Sequence, residues 1–181
     1  MPAAINHTFD IMFTSLLLCT HGTAGAKQAE HLVFSRLCPK NSDLQVTVLT
    51  VIDQDWQEMT GDDWLNSSKT HATFLDHVQQ QMQEENEADW QRIKQLYPAA
   101  AKALFVGTVG PIEETIALQA KQKNCDLIVI GPHRESKRLF NLKMEKGLRS
   151  RINTLSFHKL LPCPLLVAPF YSNLSQDQQP T

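Results

Sequence analysis

The stretch Asp126–Pro169, DLIVIGPHRESKRLFNLKMEKGLRSRINTLSFHKLLPCPLLVAP, decides the fold. It begins and ends with short apolar runs, DLIVIG and CPLLVAP, which read as strands. Between them lies a basic segment, which starts at the carboxyl end of the first strand. Open α/β sheets hold their ligands in that position. A strand followed by Gly-x-His points to a nucleotide-binding fold.

Working outward, the pattern repeats. TSLLLCT, Thr14–Thr20, is a continuous apolar run of the kind found in parallel strands covered on both faces. A glycine turn, His21–Gly25, leads into Ala26–Cys38, where Ala29, Leu32, Val33 and Leu37 share one helical face. Pro39 breaks that helix, and the β-branched run Leu44–Ile52 reads as the second strand. A polar stretch with Trp56 and Trp64 precedes a long helix from about Lys69 to Tyr97, which Pro98 stops. Phe74, Val78, Met82, Ile93 and Leu96 recur along it at helical spacing, and its middle, QQQMQEENEAD, reads as a solvated face. Ala103–Val106 reads as a short strand, and Pro111 opens a helix over Ile112–Lys123 with Glu113 and Glu114 at its positive end. Asp126–Ile130 and Pro164–Ala168 are the fourth and fifth strands, with a further helix within Glu145–Leu160. Such alternation implies a parallel sheet with helices on both faces.

Composition sets the outer bounds. A chain of 181 residues suits one domain: an N-terminal extension over 1–13, the α/β domain over 14–170 and a flexible polar tail over 171–181. A net charge of −2 suggests neither nucleic acid nor membrane as a partner. The apolar run Ile11–Cys19 falls well short of the roughly 20 residues that cross a bilayer. The four cysteines, Cys19, Cys38, Cys125 and Cys163, form no CxxC pair and read as reduced, structural and cytoplasmic.

The succession LLLCTHGT, LTVID, VGTVGPIEETIALQAKQKNCDLIVIGPH and LLPCPLLVAP resembles the universal stress protein family from about Thr14 to Pro169. That resemblance implies a five-stranded parallel sheet of Rossmann-like type, and a homodimer made through the last strand, Pro164–Ala168. Some members bind ATP. In those, an Asp closes the first strand and a Val ending the second meets the adenine. Gly-x-x-Gly follows the fourth strand, and after a spacer come Gly and Ser or Thr. Carried onto this chain, Val51 matches the adenine-side Val, Gly131 the first Gly, and His133 a residue often found as His. His21 stands in place of the Asp, beside Thr20, and Arg134 in place of the second Gly. The spacer is longer than in binders, leaving Gly147 and Ser150 as displaced counterparts of the Gly-Ser pair.

Charge is strongly segregated. His133 to Arg151 carries seven Lys or Arg against two Glu, a net +5, whereas Asp53 to Trp90 carries ten acids against one Lys. The basic segment reads as an anion site, with Arg134 and Lys137 holding a phosphate, or as a solvated loop that pairs with the acidic helix. Aromatic interleaving is limited to Phe140 and Phe157, which argues against nucleic acid. The turn THGTAGAK is too short for a phosphate loop of the GxxxxGK type. No nucleophile elbow, HExxH or catalytic carboxylate pair appears, and no metal site is expected.

The first reading is therefore a cytoplasmic binding or regulatory protein without turnover. Its site for ATP or another adenine nucleotide would use Thr20, His21, Val51, Gly131, His133, Arg134, Lys137 and Ser150. Two alternatives stay open. One is a dimeric interaction module that binds no nucleotide and recruits a protein partner. The other is a nucleotide-processing enzyme using His21 and His133, which end neighbouring strands.

Overall fold

Ser15–Cys19 forms strand β1 at the centre of the sheet. Leu16, Leu17 and Leu18 are wholly buried, as in a parallel strand covered on both faces. The other strands are β2 (Gln45–Asp53), β3 (Leu104–Gly110), β4 (Leu127–Ile130) and β5 (Leu165–Val167). All pair in parallel in the order β3-β2-β1-β4-β5. The computed structural model describes residues 13–54, 68–132 and 154–171. The strand order reverses between β1 and β4, which makes their carboxyl ends the topological switch point.

Helix α1 (Ala24–His31) runs on into π-helical turns over Leu32–Leu37 and a 3₁₀ turn at Cys38–Lys40, where Pro39 stops it. Helix α2 spans Ser68–Leu96, α3 Ile112–Gln122 and α4 Thr154–Leu160. Successive strand residues point to opposite faces, and the two cores follow that period. Leu16, Leu18, Val48 and Val129 pack under Ala29 of α1, Val33 of the π-helical turns, and Trp90 and Ile93 of α2. Leu17, Cys19, Leu49 and Ile128 pack under Ile112 and Ile116 of α3 and Phe157 of α4. Asp126 pins the central pair of strands: its carboxylate accepts from the Thr14 amide at 2.8 Å and the Thr14 hydroxyl at 2.9 Å. Beyond β5 the chain returns over α1, where the Tyr171 amide donates to Gln28 at 2.8 Å.

The expected fold is the one observed, with two corrections. The third strand runs to Gly110 rather than Val106, because its Gly-containing half pairs in unbroken register with Thr50 to Asp53 of β2. On α2, Ile93 is buried but Leu96 is 46% exposed. The inward stripe there is Trp90, Ile93 and Tyr97, spaced by three and four, which leaves Leu96 outside it. All four cysteines are free, and burial raises the Cys19 thiol far above its ordinary range. Among the described residues no helix is long and apolar enough to cross a membrane.

Ile93 has no solvent exposure and lies under the middle of the α1–α2 face. Ile93→Ala is expected to lower the unfolding free energy by about 2–5 kcal/mol, measured by urea denaturation.

Candidate functional site

Strand β1 ends at Thr20, whose amide extends the ladder by donating to the Leu49 carbonyl at 3.0 Å. The chain then turns through His21 and Gly22 into α1. Gly22 has φ +64, which favours glycine, and the Asp89 carboxylate lies where a Cβ would project. Thr23 caps α1, its hydroxyl accepting from the Ala26 amide at 3.2 Å. On the neighbouring strand Gly131 directly follows β4. A Cβ on Gly131 would fall on the Gly25 carbonyl and within 2.7 Å of the Ala26 amide, and one on Gly25 would strike the Pro132 carbonyl. Two glycines thus let the first turn of α1 rest directly on the backbone leaving β4.

Beneath this turn lies a buried polar cluster. Glu30 of α1 has no exposed surface. It accepts from the Thr20 hydroxyl at 2.5 Å and from Arg92 Nη2 of α2 at 2.9 and 3.1 Å. Arg92 Nε also donates to Asp89 at 2.9 Å, and Nη1 is buried without an acceptor among the described residues. Burial pushes the Glu30 carboxyl above the ordinary glutamate value of 4.5, against the opposing pull of Arg92 and Thr20. The cluster ties α1, α2 and the end of β1 into one unit below the mouth of the sheet.

The structure brings Thr20, His21 and Gly131 to the adjoining ends of β1 and β4. Thr20 is buried with its hydroxyl committed to Glu30, while His21 is exposed at the rim. Val51 sits two residues before the end of β2, opposite Thr108 of β3, and its side chain packs into the α3-side core. His133, Arg134, Lys137 and Ser150 lie outside the described residues, as does the basic segment that holds them. Among the described residues no group of three His, Cys, Asp or Glu is placed to hold a metal.

Sequence reasoning passed over Glu30, Asp89, Arg92 and Gly25. Glu30 did leave a signal. Ala26, Ala29, Glu30 and Val33 fall at i, i+3, i+4 and i+7, so a carboxylate occupies the apolar stripe of α1 and must find a buried partner. That the partner is Arg92, 62 residues away, had no local signature.

A parallel β3-β2-β1-β4-β5 sheet with a glycine-lined switch point defines an α/β protein of the Rossmann-like class. The model of the universal stress protein family matches residues 12–169, and the chain belongs to that family. Among solved structures it is similar to hypothetical protein MJ0577, with 22% identity, TM-score 0.64, and 90% of this chain and 99% of that one covered. It is also similar to the universal stress protein UspA of Lactobacillus plantarum, with 17% identity, TM-score 0.55, and coverage of 87% and 98%. A universal stress protein family protein of Arabidopsis thaliana, solved with AMP bound, shares 12% identity at TM-score 0.54 over 91% of this chain and 97% of that one. Comparison with curated protein sequences found no match.

The raised Glu30 pKa fixes the sign of a pH effect. From about pH 4.5 up to that raised value the folded chain binds more protons than the unfolded chain, so this group's contribution to stability falls as pH rises. The stability of the wild type relative to Glu30→Gln should decline across this window, measured by denaturation at a series of pH values. A rising difference would mean that the ion pair outweighs burial.

Proposed function

We propose that this protein is a cytoplasmic regulatory member of its family that binds an adenine nucleotide at the β1–β4 switch point and acts by binding rather than turnover. The observation that carries this reading is the close approach of the α1 turn to Gly131. It brings the amide-bearing first turn of a helix beside the strand end from which the basic segment departs. The AMP-bound Arabidopsis relative supports an adenine nucleotide as the ligand class. In this reading Val51 bounds the adenine side, and His21, Gly131 and His133 approach the ribose or phosphate. Arg134 and Lys137 hold negative charge, Thr20 props the mouth through Glu30, and Ser150 adds a hydroxyl. Arg134 offers a two-pronged donor where binders have glycine, so phosphate would be met by this side chain as well as by the α1 amides.

A second reading, an interaction module without a nucleotide, is favoured by one specific observation. Gly25 and Gly131 are already in backbone contact, so helix packing alone accounts for the glycine at 131. Thermal melting separates the two. ATP, ADP or AMP at a hundredfold excess over Kd stabilises by about 2.7 kcal/mol, raising Tm by roughly 5 °C or more for a chain of this size. Arg134→Ala with Lys137→Ala should abolish most of that shift. Absence of a shift with every nucleotide would leave the second reading standing.

The proposal includes a homodimer through Pro164–Ala168. In support, Leu166 on the outer strand is 37% exposed and Phe170 just beyond it 53% exposed. Analytical ultracentrifugation of the wild type should give the dimer mass. Leu166→Glu with Phe170→Glu should give a folded monomer, and an unchanged mass would place the contact elsewhere.

A further inference from the structure

The other edge of the sheet is unused by that reading. β3 ends the sheet, and among the described residues no strand pairs with its outer side. Natural edge strands are blunted by charge, proline, bulges or shortness. β5 is short, with three residues. β3 has seven, LFVGTVG, with neither a charged residue nor a proline. Its register with β2 runs unbroken from Leu104 to Gly110, so no bulge turns it aside. Leu104 at its start is 50% exposed, and Gly107 at its middle is exposed. Among the described residues the outer backbone N–H and C=O groups of β3 therefore have no strand paired with them.

Beside this edge a cavity of about 250 Å³ opens between β3 and α2. Ile52, Phe105 and Val109 line it with apolar surface, and Gln83, Asn86 and Glu87 of α2 supply polar groups. Phe105 is fixed by stacking on Trp90, with ring centroids 5.4 Å apart and planes 7° from parallel. Gly107 gives the cavity its depth: a Cβ there would meet nothing nearer than 3.9 Å. Glu87 is the acid among the α2 residues that line it, and Glu84 lies three residues before it, in a stretch from Asp76 to Gln91 that carries five acids and no Lys or Arg. Among the described residues both ion pairs belong to Arg92. Glu84 and Glu87 meet the side-chain amides of Gln80 and Gln91 at 3.1 and 2.6 Å.

We propose that β3 is a docking strand for an extended segment of a partner protein in which Lys or Arg recur among apolar residues. The segment adds to the sheet as a sixth strand. One of its apolar side chains fills the cavity over Gly107, and its cations meet Glu84 and Glu87. Main-chain hydrogen bonds along β3 supply affinity, while the cavity and the acidic wall select the sequence. The cavity opens on the α2 side of β3, whereas Val51 of the proposed nucleotide site packs into the α3-side core.

The test uses the full chain and a displayed library of random octapeptides. Enriched peptides should alternate apolar with Lys or Arg, and their binding should slow hydrogen exchange at the β3 amides. Gly107→Val fills the cavity at a position with room for the side chain, and Glu84→Lys with Glu87→Lys reverses an exposed wall, so both variants should melt like the wild type. Each should weaken the labelled, enriched peptide by about tenfold or more. Failure to enrich, enrichment of acidic sequences, or binding that both variants leave unchanged would overturn the proposal. Self-association lost in Gly107→Val would also overturn it, by assigning the edge to a second copy of this chain.

Discussion

The rest of the structure hangs on one constraint, that β1 is buried on both faces and paired on both edges. A strand in that position has no solvated side, so Leu16–Cys19 is apolar throughout. Its neighbours then follow. Asp126 takes up the amide and hydroxyl at its amino end, which sets β4 beside it in register. With β2 and β4 flanking β1, right-handed crossovers send α1 and α2 to one face and α3 and α4 to the other. The connections leaving the carboxyl ends of β1 and β4 diverge by necessity, and that opening is where the nucleotide site is proposed.

The Glu30 cluster shows how the mouth of this opening is held. A carboxylate without exposed surface is costly unless it is bonded, and here the Thr20 hydroxyl and the Arg92 fork satisfy it. The same Arg92 grips Asp89, whose carboxylate lies against Gly22. The turn at His21 is therefore backed by a polar post linking two helices to the end of the strand. Removing Arg92 would leave Glu30 buried without its counterpart, whereas Arg92 without Glu30 keeps Asp89, which makes the cluster a positional device more than a source of net stability.

Much of the fold was legible because its signals are local. Continuous apolar runs marked the parallel strands, Pro39, Pro98 and Pro111 bounded the helices, and the 3.6-residue period chose Ala29 and Val33 as inward-facing. The end of β3 was missed because Gly107 and Gly110 look like breaks. Only pairing with β2, a non-local fact, carries the strand through them. Leu96 was misassigned for the same kind of reason, since the sheet and not the helix decides which stripe of α2 is inward. At the site, Gly131 stood out as a strand-ending glycine. Its contact with Gly25, and the pairing of Glu30 with Arg92, depend on segments brought together only by the finished sheet. The basic segment from His133 onward lies outside the described residues, so its charge remains a sequence-level feature.

The same central pairing governs how the sheet is assembled. Thr14 and Asp126, which close the β1–β4 ladder, stand 112 residues apart in the chain. Contacts of such separation are slow to form, because loop closure must precede any gain from pairing. During synthesis β1, α1 and β2 emerge early and can join at once, whereas β4 follows only after α2, β3 and α3 have been made. Over that interval the central apolar strand presents one bare edge, and chaperone capture or mispairing competes there with native closure.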